Sequence, residues 1–167
     1  MSMIHIPSPV QGTITTTVVM LLLVLGISAG AMYFFYCPCD RLPGGWLLGE
    51  EVSTPINDWS FANEAGLCQV QVATPLPHSI NLNCMSADGV LYLSCMGCAD
   101  KTWSNAAIER PNGRIRIGER VYAVVFTRVT DQAVLDRAWR ARATKTGSDN
   151  KRPEHWWSFE VRSNTNS

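Results

Sequence analysis

Residues 79–95 read SINLNCMSADGVLYLSC. Ile80, Leu82 and Cys84 alternate with Asn81 and Asn83, the two-residue period of a strand with one face buried. Residues 85–89, MSADG, supply turn chemistry, and residues 90–95, VLYLSC, predict a second strand. Upstream, Cys68, Val70 and Val72 alternate with Gln69 and Gln71 before the TPLPH turn at 74–78. The three segments predict an antiparallel meander. If Ala73 faces Ser79 across that turn, Cys68 falls opposite Cys84 on the same face, and the two would bond in an oxidising compartment.

The pattern continues outward in both directions. Residues 46–61, WLLGEEVSTPINDWSF, hold a short first strand, a turn at Pro55 and an entry into the next element at Asp58-Trp59. Downstream, Asp100 is expected to cap a helix over KTWSNAAIE (101–109), which Pro111 and Asn112-Gly113 end. Arg114, Ile115, Arg116 and Ile117 alternate, residues 118–120 turn the chain, and VYAVVFTRV (121–129) is the longest β-branched run. Thr130-Asp131 caps a second helix, whose stripe is Val134, Leu135, Ala138 and Trp139, with Arg137, Arg140 and Arg142 on the wet side. Residues 146–153 form a polar loop and WWSFEV (156–161) a closing strand. Six or seven short strands with two short helices and short connections predict a mainly β fold, a small closed or split β-barrel.

The chain has 167 residues, 14 Lys plus Arg against 14 Asp plus Glu, so it carries no electrostatic footprint for nucleic acid. Its mean hydropathy is zero, an average over a greasy opening and a polar remainder. Residues 14–36, ITTTVVMLLLVLGISAGAMYFFY, hold no charge and would span roughly 34 Å as a helix. The aromatic cluster 33–36 suits a headgroup region. Ala29-Gly30-Ala31 is the one cue for a cleaved signal peptide; the lack of Lys or Arg in residues 1–13 and an apolar run past that box favour a retained anchor in a lipid bilayer. Arg41 beside Asp40 does not choose the side. The expected organisation is a polar tail over 1–13, a transmembrane helix over 14–36, a Pro- and Gly-rich linker over 37–45, a barrel over 46–162 and a disordered tail over 163–167.

The block at 79–95 together with DKTWSNAAIERPNGRIRIGERVYAVVFTRVTD (100–131) resembles the pyridoxamine-phosphate-oxidase-like split-barrel superfamily, most closely its deazaflavin-dependent nitroreductase and quinone-reductase branch. The resemblance covers roughly residues 46–139. It implies an FMN or deazaflavin cofactor, with Lys101 on its phosphate, Trp103 beside its ring, Ser94 bonding ring or phosphate oxygens, and Asn105 completing the set. A lysine at a helix N-terminus adds its charge to unpaired backbone N-H groups, an environment that suits a phosphate. The plainer readings of the same residues are a solvated first-turn lysine and a tryptophan on the helix's core face. If a flavin-type ring binds, the cofactor carries the hydride chemistry and no side-chain acid or base is obligatory, so the catalytic residues stay unassigned. His5, His78 and His155 are scattered, and His78 reads as a surface residue.

Six cysteines remain: Cys37 and Cys39, Cys68, Cys84, and the Cys95-Met-Gly-Cys98 pair. The last lies between a strand and a helix start, a context that lowers thiol pKa and marks redox sites, although the flanking meander is not a thioredoxin unit. Paired zinc-ligand spacing is absent. Three functions stay open: a membrane-anchored flavin-type oxidoreductase near a quinone or other membrane-soluble acceptor; a non-catalytic accessory subunit docking on a larger membrane complex through an aromatic surface of Trp46, Trp59, Trp156 and Trp157; and a thiol-redox protein using Cys95 and Cys98.

Overall fold

The computed structural model describes residues 10–36, 38–148 and 150–164. The chain forms two units, Met1–Met32 and Tyr33–Ser167. The helix α1, Val10–Tyr36, begins four residues before the expected start at 14. Its stretch Thr15–Phe35 has a mean hydropathy of 2.4 and is long and apolar enough to cross a membrane. Val18, Leu21, Leu22, Leu25 and Ile27 are all exposed, so the helix is apolar on every side rather than along one stripe, as a membrane span or a signal sequence would be.

The second unit is a mainly β half-barrel. Its strands are β1 (Glu50–Val52), β2 (Cys68–Val72), β3 (His78–Leu82), β4 (Cys84–Ala87), β5 (Val90–Met96), β6 (Asn112–Ile117), β7 (Arg120–Arg128) and β8 (Trp156–Ser163). Two helices accompany them, α2 (Thr102–Glu109) and α3 (Gln132–Thr146). Hydrogen bonding orders the sheet β3-β2-β6-β7-β8-β5-β4, with β1 parallel to β7. Its two edges, β3 and β4, are neighbours in sequence separated by Asn83 alone. A chain that leaves one edge and enters the other after a single residue obliges the sheet to curl, and this curl makes the barrel.

The expected three-stranded meander is therefore corrected. Residues 79–84 do not form one strand: β3 ends at Leu82, Met85–Ala87 belong to β4, and the turn before β5 shrinks to Asp88-Gly89, both with positive φ (52° and 76°). The two hairpins β2-β3 and β4-β5 sit at opposite ends of the sheet path. The register of the first also shifts. Val72 pairs with His78 and Cys68 with Leu82, so Cys84 is not the cross-strand partner of Cys68. The two are nevertheless joined by a disulfide, Cα to Cα 5.7 Å, because Cys84 is the first residue after the bend and stands at the seam beside β2.

The unbroken apolar run of β5 has a simple cause. Leu91 and Leu93 point into the barrel core with Val70, Ile115, Val124, Phe126 and Phe159, whereas Tyr92 points outward under α3 with Met85, Leu135 and Trp156. Both faces are covered, so period two gives burial on each side. α2 closes the barrel core with Trp103, Ala106 and Ala107. α3 starts at Asp131, whose side chain accepts from the Val134 N-H at 3.0 Å, and ends at Gly147 with φ 64°, the capping pair expected of a stable helix.

Two further expectations change. Asp100 does not cap α2; it ends a short 3-10 turn, Cys98–Asp100, and Lys101 takes the cap position with no side-chain cap. The aromatic surface also dissolves. Trp59 is 2% exposed against Tyr122, ring centroids 5.2 Å apart, and Trp156 is equally buried against Trp139. Trp157 is half-buried with the Arg128 guanidinium 3.5 Å from its ring centroid, and of the four only Trp46 is exposed.

Candidate functional site

A cleft of about 640 Å³ opens where β3, the end of β5 and the start of α2 meet the segment before β1, a size within the range of roughly 300–1,000 Å³ typical of ligand sites. Arg41, His78, Asn81, Cys95, Lys101 and Trp103 stand on its wall. Two of the four residues expected to hold a cofactor, Lys101 and Trp103, are thus brought together.

Lys101 is exposed at the N-cap of α2. Its carbonyl accepts from the Asn105 N-H at 3.2 Å and the Ser104 hydroxyl lies 3.0 Å from the same oxygen. No side chain caps the helix, so the orphan N-H groups of its first turn add positive potential at the lysine's foot. Arg41 reaches the cleft because its own segment is stitched to β3. Gly44 and Ser79 exchange two backbone hydrogen bonds of 2.8 Å, and the Asn81 amide donates to the Pro38 and Asp40 carbonyls at 3.3 and 3.0 Å. The stretch expected as a linker is therefore hydrogen-bonded to the barrel edge. Among the described residues neither Arg41 nor Lys101 makes an ion pair.

Trp103 is 3% exposed, its ring centroid 5.1 Å from that of Phe159. Its indole N-H is buried without an acceptor, a deficit that costs stability unless something satisfies it. His78 lies half-buried at the start of β3, and burial holds its pKa below the ordinary imidazole value, so it faces the cleft neutral at pH 7.

The other two expected residues lie elsewhere. Ser94 is buried in the barrel wall opposite Ser158 of β8, away from the cleft lining. Asn105 is exposed on α2, where its amide donates to the Ala99 carbonyl at 2.9 Å and braces the turn before the helix. Arg41 and Asn81 are cleft residues that sequence reasoning missed. No local signal marks them, since a fold-back of the segment after α1 brings them in.

Cys95 and Cys98 form a second disulfide, Cα to Cα 5.6 Å, and Cys39 is disulfide-bonded as well. Among the described residues no cluster of His, Cys, Asp or Glu could hold a metal ion.

Two other clefts are less suited to a ligand. In one, of about 630 Å³, Lys145 donates to the Ala62 and Cys84 carbonyls at 2.9 and 2.5 Å, and Arg137 pairs with Asp88 at 3.3 Å. In the other, Arg128 lies over Trp157 and Arg152 pairs with Asp136 at 2.9 Å. In these clefts Lys145, Arg137, Arg128 and Arg152 are committed to the fold, whereas among the described residues Arg41 and Lys101 of the α2 cleft make no ion pair.

No family model matches the sequence, and no curated protein matches it. Solved structures do match its shape. A protein of Bacteroides thetaiotaomicron, provisionally named a 5-nitroimidazole antibiotic resistance protein, aligns with a TM-score of 0.51 at 12% identity over 66% of this chain and 82% of that one. A protein of Listeria innocua, provisionally named a pyridoxamine 5'-phosphate oxidase, aligns at 0.50 and 10% identity over 60% and 85%. The conserved hypothetical protein Rv2991 of Mycobacterium tuberculosis aligns at 0.50 and 12% identity over 62% and 76%. At such identities the likeness is one of fold alone, the split β-barrel that this chain shares with these three structures.

Proposed function

We propose that this protein is a split-barrel oxidoreductase that takes an FMN or deazaflavin in the α2 cleft and is held at a membrane by α1, close to a quinone or another membrane-soluble acceptor. The observation that carries the reading is the pairing of an uncapped helix start, and two cations that make no ion pair among the described residues, with a buried indole whose N-H lacks an acceptor there. Lys101 and Arg41 would bind the anionic end of the cofactor, with the carboxylates of Asp40 and Asp100 also in the cleft, Trp103 would wall its ring, and neutral His78 would line the cleft with them. The cofactor, when bound, supplies the hydride chemistry. The split-barrel likeness supports the flavin-type class.

The full chain in detergent, titrated with FMN and separately with a deazaflavin nucleotide, tests this by quenching of ligand fluorescence. We expect saturable binding of one of them, weakened about tenfold by Lys101→Ala, the loss of one charge-assisted contact. Trp103→Phe keeps the ring packing and should weaken binding less. Absence of saturation with either ligand would reject the reading.

A second reading has its own support. The disulfide across the barrel seam favours an oxidising compartment, where a nucleotide cofactor is hard to supply. There the barrel would serve as a cofactor-free docking module of a larger membrane complex. Colourless protein that leaves its native membranes together with such an assembly would favour this second reading over the first.

A further inference from the structure

The two disulfides of the barrel differ in a way that assigns them different work. Cys68 and Cys84 are both 0% exposed and join elements 16 residues apart at the seam. Cys95 and Cys98 are three residues apart, and only one of them is shut away. Cys98 is 1% exposed, whereas Cys95 is half-buried at the end of β5 and lines the α2 cleft. The intervening turn takes Gly97 through a left-handed conformation, φ 60°, which places the pair just ahead of α2. Arg41 and Lys101 line the same cleft as Cys95, beside Asp40 and Asp100; the cations stabilise a thiolate and the carboxylates oppose it, so the one-sided exposure of the pair is what marks the site.

We propose that Cys95-Met-Gly-Cys98 is a thiol-disulfide exchange site whose substrate is a dithiol that enters the α2 cleft, with Cys95 as the attacked sulfur and Cys98 as the leaving one. One thiolate of the dithiol attacks Cys95 Sγ; a new S-S bond forms, the Cys95–Cys98 bond breaks, and its electron pair leaves on Cys98 Sγ, which takes up a proton. The second thiolate of the dithiol then attacks its own sulfur in the mixed disulfide and expels Cys95 as thiolate. The dithiol loses two electrons and two protons and becomes a disulfide; the protein pair gains both electrons and, once the Cys95 thiolate is protonated, both protons. The chemistry runs in reverse for a disulfide substrate. Burial makes the order of attack one-sided, because a partner reaches Cys95 from the cleft and cannot reach Cys98. The site needs no flavin, so it stands or falls separately from the cofactor reading.

The test uses the full chain in detergent without added flavin, equilibrated in graded dithiothreitol, trapped with a maleimide and mapped by peptide mass spectrometry. Cys95–Cys98 should open at reductant concentrations at least about tenfold below those that open Cys68–Cys84, while circular dichroism stays native. In Cys98→Ser the freed Cys95 should form a mixed disulfide with 5,5'-dithiobis(2-nitrobenzoate), and Cys98 in Cys95→Ser should react at least about tenfold more slowly. Simultaneous opening of both disulfides, or opening only with loss of the native spectrum, would overturn the proposal even if the variants do not fold. So would faster labelling of Cys98 than of Cys95.

Discussion

Lys145 shows how one side chain can be read both ways. It stands in the last turn of a helix, where a lysine commonly stays in water and a cation suits the dipole. In the fold its ammonium turns back to the barrel and donates to the carbonyls of Ala62 and Cys84, so a single group ties α3 to β4 and to the 3-10 turn Ser60–Asn63. Burial lowers its pKa from the ordinary 10.5. Replacing it by methionine keeps the aliphatic stem and removes the charge-assisted bonds, at an expected cost of about 1–3 kcal/mol. The pH dependence follows from the direction of the shift. Between the lowered pKa and 10.5 the unfolded chain holds a proton that the folded chain has released, so stability rises with pH across that window. Chemical denaturation at neutral pH and at pH 10 should therefore show the wild type gaining on Lys145→Met as the solution becomes alkaline. A gap that narrows instead would mean that the ammonium is not desolvated.

At the scale of elements, what was legible depended on whether the signal was local. Val70 and Val72, Leu91 and Leu93, and Ile115 and Ile117 announce their strands because alternation is written in the residues themselves, and all of them are core. Asp131 announces α3 for the same reason. The register of β2 on β3 was not legible, since TPLPH admits more than one closure and Asn83 suits a strand as well as a bend. The start of α2 was misread because residues 98–100 form a 3-10 turn that takes Asp100 out of the cap position. Of the cleft, Lys101 and Trp103 could be read from their helix, while Arg41 and Asn81 meet only through long-range hydrogen bonds. Gly113 belongs here too. It looked like turn punctuation before a strand, yet it lies within β6, where a Cβ would stand 2.3 Å from the Phe126 ring and 2.5 Å from the Gln71 carbonyl oxygen. One contact is backbone and the other a packed aromatic, so neither yields cheaply. Gly113→Ala should cost about 1–3 kcal/mol by overpacking. Asp131→Ala should cost about 1 kcal/mol by loss of a cap. Thermal melts would place the glycine variant below the cap variant, and a Gly113→Ala barrel as stable as wild type would show that β2 and β7 can part at that point.

For the molecule as a whole, the seam disulfide and the apolar helix bear on one question, which side of a membrane the barrel occupies. A disulfide that closes the loop between Cys68 and Cys84 removes about 3 kcal/mol of freedom from the unfolded chain on the loop-entropy account, against about 2 kcal/mol for the three-residue span of Cys95–Cys98. The seam bond is thus a sizeable share of what holds a barrel of this size together, and it persists only where thiols are oxidised. A chain that depends on it gains from export, and an N-terminal helix that is apolar all round is a means of export whether or not it is later removed. Retention is the point on which tethering turns. With α1 retained, the mature chain keeps residues before Thr15, resists extraction by alkaline carbonate, and loses a C-terminal tag to protease in right-side-out vesicles but not in inside-out ones. A mature N-terminus at Met32 would give a freely diffusing exported barrel, which keeps the seam and the cleft but abolishes proximity to a membrane-soluble acceptor. Tag cleavage confined to inside-out vesicles would put the barrel among reduced thiols; the seam disulfide would then have to be absent from the isolated protein, and mass spectrometry of the unreduced chain checks that directly.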